Sequence, residues 1–489
     1  MSSTRAALAA LDARLSRLRL PSPRVSALLI LGFLAFGVVV GAATGSRADE
    51  TLAASARAPI RLVLRASAPA KGAEAPTRAS EPPPAEPEAT PEAPTSPPPS
   101  TAAALPKAKA PAASGGGKAG AGESGGGGGA APPARSGAKL PAIKHVFVIM
   151  LSDEPYAATF GPESTAPYLS RTLEHRGVLL ARYYAVAHGQ LANGVALLSG
   201  QGPTRATAAN CPTYTPVTPG TVAGEGQVLG EGCVYPASTP TLPGELEVKR
   251  RTWRAYVQGL GEAGGSPPCG HPVLGQADPT SASPPPASSS ATFRNPVVYF
   301  EGLASAPTCA SEDTGLAALS GDLQSAKRTP SLSLIIPDRC HDGSPGPCPG
   351  GAAGGLPAAN GLLEQVVPKI LSSKAYREDG LLVITTDEAP SAGPFADSSS
   401  CCGEPRFPNL PAPTGLAASL PPEGGGQVGA LLLSPFVKPQ AIDQEPYDHF
   451  SLLRTIEDLF ALKPLGYAAG AKVPAFAPSL FAARAPGTR

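Results

Sequence analysis

The chain has 489 residues, of which 60 are Pro and 55 are Gly, a share of helix and strand breakers too large for one compact domain along the whole length. With 39 Lys+Arg against 38 Asp+Glu, the formal charge of +1 provides no basic field, which excludes a dedicated nucleic-acid binder. The apolar content is 42% but only 5% is aromatic, so a core is expected to be built of Ala, Leu and Val.

Residues 1–24 carry Arg5, Arg14, Arg17, Arg19 and Arg24 against the single acid Asp12, and an uncharged run, VSALLILGFLAFGVVVGAATGS, follows at 25–46. About 20 apolar residues span the roughly 30 Å hydrocarbon layer, whereas the apolar part of a signal peptide is about 7–15 residues long. The pattern predicts a single-pass membrane anchor with its arginines cytoplasmic and the rest of the chain extracytoplasmic. A cleaved signal peptide is the alternative, with Ala42, Ala43 and Ala48 as small residues for a peptidase. From 47 to 140 the chain is rich in Ala, Pro, Gly and Glu, as in EPPPAEPEATPEAPTSPPPS and SGGGKAGAGESGGGGGA. Neither stretch can bury a core, so a disordered stalk is expected.

All eight cysteines, Cys211, Cys233, Cys269, Cys309, Cys340, Cys348, Cys401 and Cys402, lie in the distal half. An even number outside the cytoplasm points to disulfides. Cys340 and Cys348, around a Gly/Pro loop, are the expected local pair, and the adjacent Cys401 and Cys402 are expected to have separate partners.

Residues 141–489 hold the chemistry. IKHVFVIML (143–151), SLSLIIP (331–337), GLLVITT (380–386) and GALLLSP (429–435) are apolar runs of the kind buried in a parallel sheet. Helical patterns at 166–178, 361–378 and 450–462 alternate with them. The alternation predicts a parallel sheet with helices on both faces, and the Pro, Gly, Ser and Thr rich segment 202–292 reads as a disulfide-pinned insertion rather than sheet. Ligands in such sheets bind beyond the carboxyl ends of the strands. There the sequence places Ser152-Asp153-Glu154, Asp338-Arg339-Cys340-His341-Asp342 and Asp387-Glu388, with Tyr447-Asp448-His449 before the last helix. Crowded carboxylates repel one another, and a divalent cation bound by oxygen and imidazole compensates them. Taken singly, Asp153 and Asp338 also suit turns, Asp448 an N-cap, and His341 or His449 an ordinary hydrogen-bonded histidine.

The order IKHVFVIML, APYL, YYAVAH, ALLSG, NPVVYF, IPDRCHDG, ITTDE and DHFSLLRTIEDLF resembles the bacterial phosphoesterase family that includes phosphatidylcholine-type phospholipase C and acid phosphatases of the alkaline-phosphatase superfamily. The resemblance implies a three-layer α/β/α sandwich that hydrolyses phosphate esters at a centre of divalent metal ions, through a Ser or Thr nucleophile. Carried over by position, Asp387 and Glu388 are implied ligands of one metal. His341, Asp342 and His449, with Asp338 nearby, are implied for the other metal or the phosphate side.

Two departures bear on activity. Where the family has Glu-Asn after the first strand, this chain has Ser152-Asp153, so the carboxylate survives as Asp153, one position along. Where the family has His-Pro-Ser-Leu-Pro-Asn, this chain reads His188-Gly189-Gln190-Leu191-Ala192-Asn193, which puts Gln190 at the position of the nucleophilic hydroxyl. An amide cannot form a phosphoryl intermediate, leaving metal-assisted attack by water, or binding of a phosphorylated envelope ligand or protein partner without turnover. His188 and Asn193 match the family and are expected to orient phosphate or to hydrogen-bond at the start of a helix. Arg454 is expected to pair with Glu457 or Asp458, and the loop 398–403 to line the mouth of the site.

Overall fold

The computed structural model describes residues 140–262, 265–281, 290–346, 348 and 351–481. The predicted basic lead (1–24), the membrane segment (25–46) and all but the last residue of the stalk (47–140) lie outside the described residues. Among the described residues no helix is long and apolar enough to cross a membrane.

Eight strands form one sheet: β1 His145–Leu151, β2 Val178–Leu180, β3 Trp253–Val257, β4 Asp313–Gly315, β5 Leu332–Ile336, β6 Gly380–Thr386, β7 Ala430–Leu433 and β8 Ala441–Asp443. Their order is β8-β2-β7-β6-β1-β5-β3-β4. The apolar runs at 143–151, 331–337 and 380–386 therefore become three adjacent central strands, with Val148 of β1 level with Leu334 on one side and Val383 on the other. β6 is buried along its whole length, which explains its unbroken apolar character. β7 runs antiparallel to both of its neighbours, and all other pairings are parallel.

Side chains alternate across each strand and feed two cores. Val146 and Val148 of β1 and Leu381 and Val383 of β6 face one core, which also receives Leu191, Val195 and Leu198 of helix α1 (Gln190–Ser199) and Leu452, Leu453 and Ile456 of the last helix. Phe147, Ile149, Leu382 and Ile384 face the other, against Leu363, Val367 and Ile370 of helix α2 (Leu356–Ser372). The result is three layers with helices on both faces, as expected. The last helix, α3 (His449–Phe460), starts at Asp448, whose carboxylate accepts from the Ser451 N–H at 2.7 Å. Asp448 thus takes the N-cap role that its sequence position suits.

Two expectations are corrected. The segment 202–292 is not purely an insertion, because Trp253–Val257 is strand β3 of the main sheet; its short WRAYV pattern carries a charge and follows two arginines, which hid it. The neighbours Cys401 and Cys402 are bonded to each other. The other six cysteines are taken by Cys211–Cys233, Cys269–Cys309 and the predicted Cys340–Cys348, so only the adjacent pair is left to combine.

Candidate active site

β6, β1 and β5 end side by side at the middle of the sheet, so their carboxyl ends deliver Asp387-Glu388, Ser152-Asp153 and the 338–342 loop to one edge. Main-chain bonds lock these turns together. The Asp387 N–H donates to Leu151 O at 2.9 Å, the Glu154 N–H to Glu388 O at 3.2 Å, and the Ser152 N–H to Asp342 O at 2.7 Å. Asp153 sits in the left-handed region at φ 55°, which is uncommon for a residue with a side chain.

Helix α1 faces this edge with its first turn. Gly189 has φ 102°, and a Cβ there would lie 2.5 Å from Ala208 O, so only glycine fits. Its N–H donates to Glu388 Oε2 at 2.6 Å and fixes that carboxylate. Gln190 directs its amide inward, where Nε2 donates to the Ser152 hydroxyl and, at 3.3 Å, to the Ser344 hydroxyl. Asn193 ties the approach loop to the helix: its Oδ1 accepts from the Val186 and Ala187 N–H groups, and its Nδ2 donates to Ala187 O and Gly189 O. His188 stands at the mouth, with Nε2 2.9 Å from Ser398 Oγ and Nδ1 3.6 Å from Glu388 Oε2.

The carboxylates are compensated by a group that sequence reasoning passed over. Arg294, in the turn Thr292–Arg294, extends under α1 and places Nη1 2.9 Å from Asp387 Oδ2 and Nε 3.3 Å from Asp342 Oδ2. Nη2 donates to Met150 O at 3.2 Å. Gly194 permits the approach of this segment, since a Cβ there would meet Pro296 Cβ at 3.0 Å. Arg294, Gln190 and Asp387 also line a small internal cavity of about 30 Å³ otherwise walled by Val148, Met150 and Leu334. The signal was present in the sequence, as a lone arginine inside the apolar run FRNPVVYF. The acids it meets are far off along the chain.

The remaining predicted residues are placed apart. His449 is fully buried, with Nε2 2.9 Å from the Asp387 carbonyl and Nδ1 2.9 Å from the Tyr183 hydroxyl. A carbonyl only accepts, so Nε2 carries the proton and Nδ1 accepts from Tyr183, which engages both ring nitrogens of a neutral imidazole. Burial pushes its pKa down to about 4, consistent with that neutral form. His341 and Asp338 pair with each other at 2.7 Å on the wall of a different, open cavity of about 540 Å³, shared with Gln258, Glu262 and Lys369. The structure thus brings together Asp153, Gln190, Asp342, Asp387 and Glu388, sets His188 at the rim, and leaves Asp338, His341 and His449 in other surroundings. Among the described residues, the group of His, Cys, Asp and Glu donors lying within 4.8 Å of one another is Cys401, Cys402 and Asp448, which is not one of the predicted sets.

Electrostatics follow from this burial. Desolvation, reinforced by the charges of Glu388 and Asp342, raises Asp153 to about 6, and desolvation followed by Asp153 raises Glu154 to about 7. Burial also raises Asp342 and Asp387, and Arg294 pulls both back without cancelling the rise. The carboxylate of Glu388 beside its ring raises His188, and the Asp338 carboxylate that pairs with its ring raises His341.

Among solved structures, a protein of the alkaline phosphatase superfamily from Vibrio parahaemolyticus is 11% identical over 71% of each chain, with a TM-score of 0.36. A lipoteichoic acid synthase from Listeria monocytogenes is 10% identical over 72% of this chain and 79% of its own, with a TM-score of 0.39. A phosphonate monoester hydrolase from Silicibacter pomeroyi is 12% identical over 69% and 76%, with a TM-score of 0.36. No curated protein matches the chain. The model of the Phosphoesterase family matches residues 158–463, well over half of the sequence, and takes in the motifs at 338–342, 387–388 and 447–449, while Ser152-Asp153-Glu154 precedes the matched span; the chain belongs to the Phosphoesterase family.

Proposed function

We propose that the domain is a hydrolase of phosphate monoesters or diesters that works with a divalent cation and uses water, rather than a side chain, as the attacking group. Family membership supports the reaction class. Gln190 removes the side-chain route, because a carboxamide has no hydroxyl to be phosphorylated. The observation that carries the cation is a surplus of oxygen donors: Asp387 Oδ1 and Gln190 Oε1 are buried without a hydrogen-bond partner, beside Asp153 and Glu388. One arginine neutralises only part of that charge. All-oxygen donors suit a hard ion such as Mg²⁺, Mn²⁺ or Ca²⁺, which Asp153, Gln190, Asp387 and Glu388 would hold by drawing together, since the three carboxylates do not lie within 4.8 Å of one another. When bound, the ion supplies the positive charge that a phosphate needs at an acidic edge and polarises its P–O bonds. The chain's own groups orient the rest: the Gly189 N–H fixes Glu388, His449 and Tyr183 hold the Asp387 main chain, and His188 lies at the mouth, where a leaving group would depart. The arginine lead, the apolar run at 25–46 and the eight cysteines support a membrane-anchored protein with this domain outside the cytoplasm.

A second reading, a ligand-binding member without turnover, is favoured by one observation: the Gln190 Nε2 is held by Ser152 and Ser344, which fixes the side chain in the position from which attack would come. Elemental mass spectrometry of the full-length, oxidised protein after equilibration with mixed divalent cations and desalting separates the outcomes, together with hydrolysis of p-nitrophenyl phosphate and its diester. A bound ion that is lost in Asp387→Asn, with hydrolysis that falls alongside it, is expected. No retained ion overturns the hydrolase reading. A retained ion with no turnover, followed by new phosphatase activity in Gln190→Ser, selects the second reading.

A further inference from the structure

We infer that Arg294 is a built-in cation that stands in for a divalent ion between Asp342 and Asp387, so the site binds one metal ion fewer than its carboxylates would otherwise demand. The inference rests on the reading above only in treating the strand-end acids as a cation site. Three observations carry it. First, the guanidinium and its partners are withdrawn from water: side-chain exposures are 3% for Arg294, 0% for Asp342 and 3% for Asp387. An unpaired charge at that depth is costly, so the arginine and the acids require each other. Second, the contacts are bridging. Nη1 bonds Asp387 and Nε faces Asp342, so a single cation joins carboxylates from the ends of two different strands, as a metal ion would. Asp342 Oδ2 and Arg294 Nε make an ion pair but no aligned hydrogen bond, which is Coulombic compensation more than directional recognition. Third, the arginine is held rather than free to swing. Asn295, next in the chain, donates to both carboxylate oxygens of Asp313 at 2.9 Å and caps the following turn, while Pro296 is wedged against Gly194 of α1.

The chemical consequence is a charge that does not depend on metal supply. A guanidinium remains protonated at any physiological pH and has no acceptor, so it neutralises acids but cannot exchange with ions in solution. With N–H groups donated to Asp387 and the Met150 carbonyl and its charge set against Asp342, Arg294 acts on the architecture of the site and is a positioning residue, not a clamp on phosphate.

The test compares metal stoichiometry in the full-length wild-type protein and in Arg294→Met, loaded with mixed Mg²⁺, Mn²⁺, Ca²⁺ and Zn²⁺, desalted, and read by elemental mass spectrometry. Arg294→Met is expected to hold one more ion per chain than wild type and to gain thermal stability on adding Mn²⁺ by clearly more than wild type does. Arg294→Lys, which keeps the charge, should hold the wild-type number, and Arg294→Met combined with Asp342→Asn should lose the extra ion. A folded Arg294→Met with the wild-type count overturns the inference, and so does a variant that fails to fold both in chelator and with divalent cation supplied. Because the count is read as a difference, a wild-type protein that holds no ion sinks the hydrolase reading and leaves this inference to be judged on whether Arg294→Met gains one.

Discussion

Asp342 and Asp338 lie on the same loop after β5, each beside a basic side chain, yet in different settings. Asp342 is sealed under α1 against Arg294, whose side chain is 3% exposed. Asp338 meets His341, whose side chain is 40% exposed on the wall of the open cavity. The two pairs look alike in sequence and differ in how much water they have lost. In the sealed pair, removing one partner strands a charge that solvent cannot reach, whereas in the open pair His341 stands partly in water and Asp338, itself buried, keeps the Cys340 and His341 N–H groups as donors when the ring is removed. The sealed cluster should therefore set both stability and ion requirement, while the open one should set little beyond the local shape of the cavity.

The largest expected effect follows from that difference. Arg294→Met, unfolded by denaturant in chelator, should lose about 3–5 kcal/mol relative to wild type. A loss below about 1 kcal/mol would erase the contrast between the two aspartates. A third buried acid sharpens it from the other direction, because Glu457 in α3 has no ion-pair partner among the described residues and feels Arg454, which pairs with Asp458, only weakly against its burial. Its side chain is fully buried, Oε1 accepts from the Leu465 N–H at 2.8 Å, and Oε2 has no hydrogen-bond partner. Burial raises its pKa from 4.5 to about 8. With the folded value above the unfolded one, the stability it contributes is fully present below pH 4.5 and is lost as pH rises through 8. A shift of that size is about 5 kcal/mol at full strength, relaxation around the buried acid should reduce the loss to on the order of 3 kcal/mol across that window, and Glu457→Gln should flatten it. A pH profile unchanged by the substitution would show that Glu457 is not the acid responsible. The smallest effect belongs to the open pair: His341→Gln should change stability by less than about 1 kcal/mol in the same denaturant assay. A cost comparable to that of Arg294→Met would mean that the cavity wall is as tightly built as the sealed centre.

The same distinction explains what could be read in advance. The runs at 143–151, 331–337 and 380–386 announced three central strands because burial on both faces leaves an unbroken apolar pattern, and the acids after them announced the edge where chemistry collects. The placement of Gln190 inside that edge, at the first position of α1, was also legible by resemblance. Other features were not. GALLLSP gave no sign that β7 runs antiparallel, since strand direction is set by connections and not by composition. WRAYV did not announce β3, because a five-residue strand interrupted by an arginine lacks a long periodic signal. The expected local disulfide Cys340–Cys348 forms across a short loop, whereas Cys401 and Cys402, expected to have separate partners, bond each other because the other six cysteines have paired among themselves.

The sequence by itself determined the elements, the layered alternation and the chemical character of the strand ends, because these depend on residues close together in the chain. Only the tertiary structure decided how the acids are shared. Arg294 reaches Asp387 across a sequence separation of 93, His449 turns to the Asp387 carbonyl and to Tyr183, and His341 is drawn away to Asp338. The physical reason is that a charge buried by folding must find its compensation within the few ångströms left to it, and the fold determines which group is there.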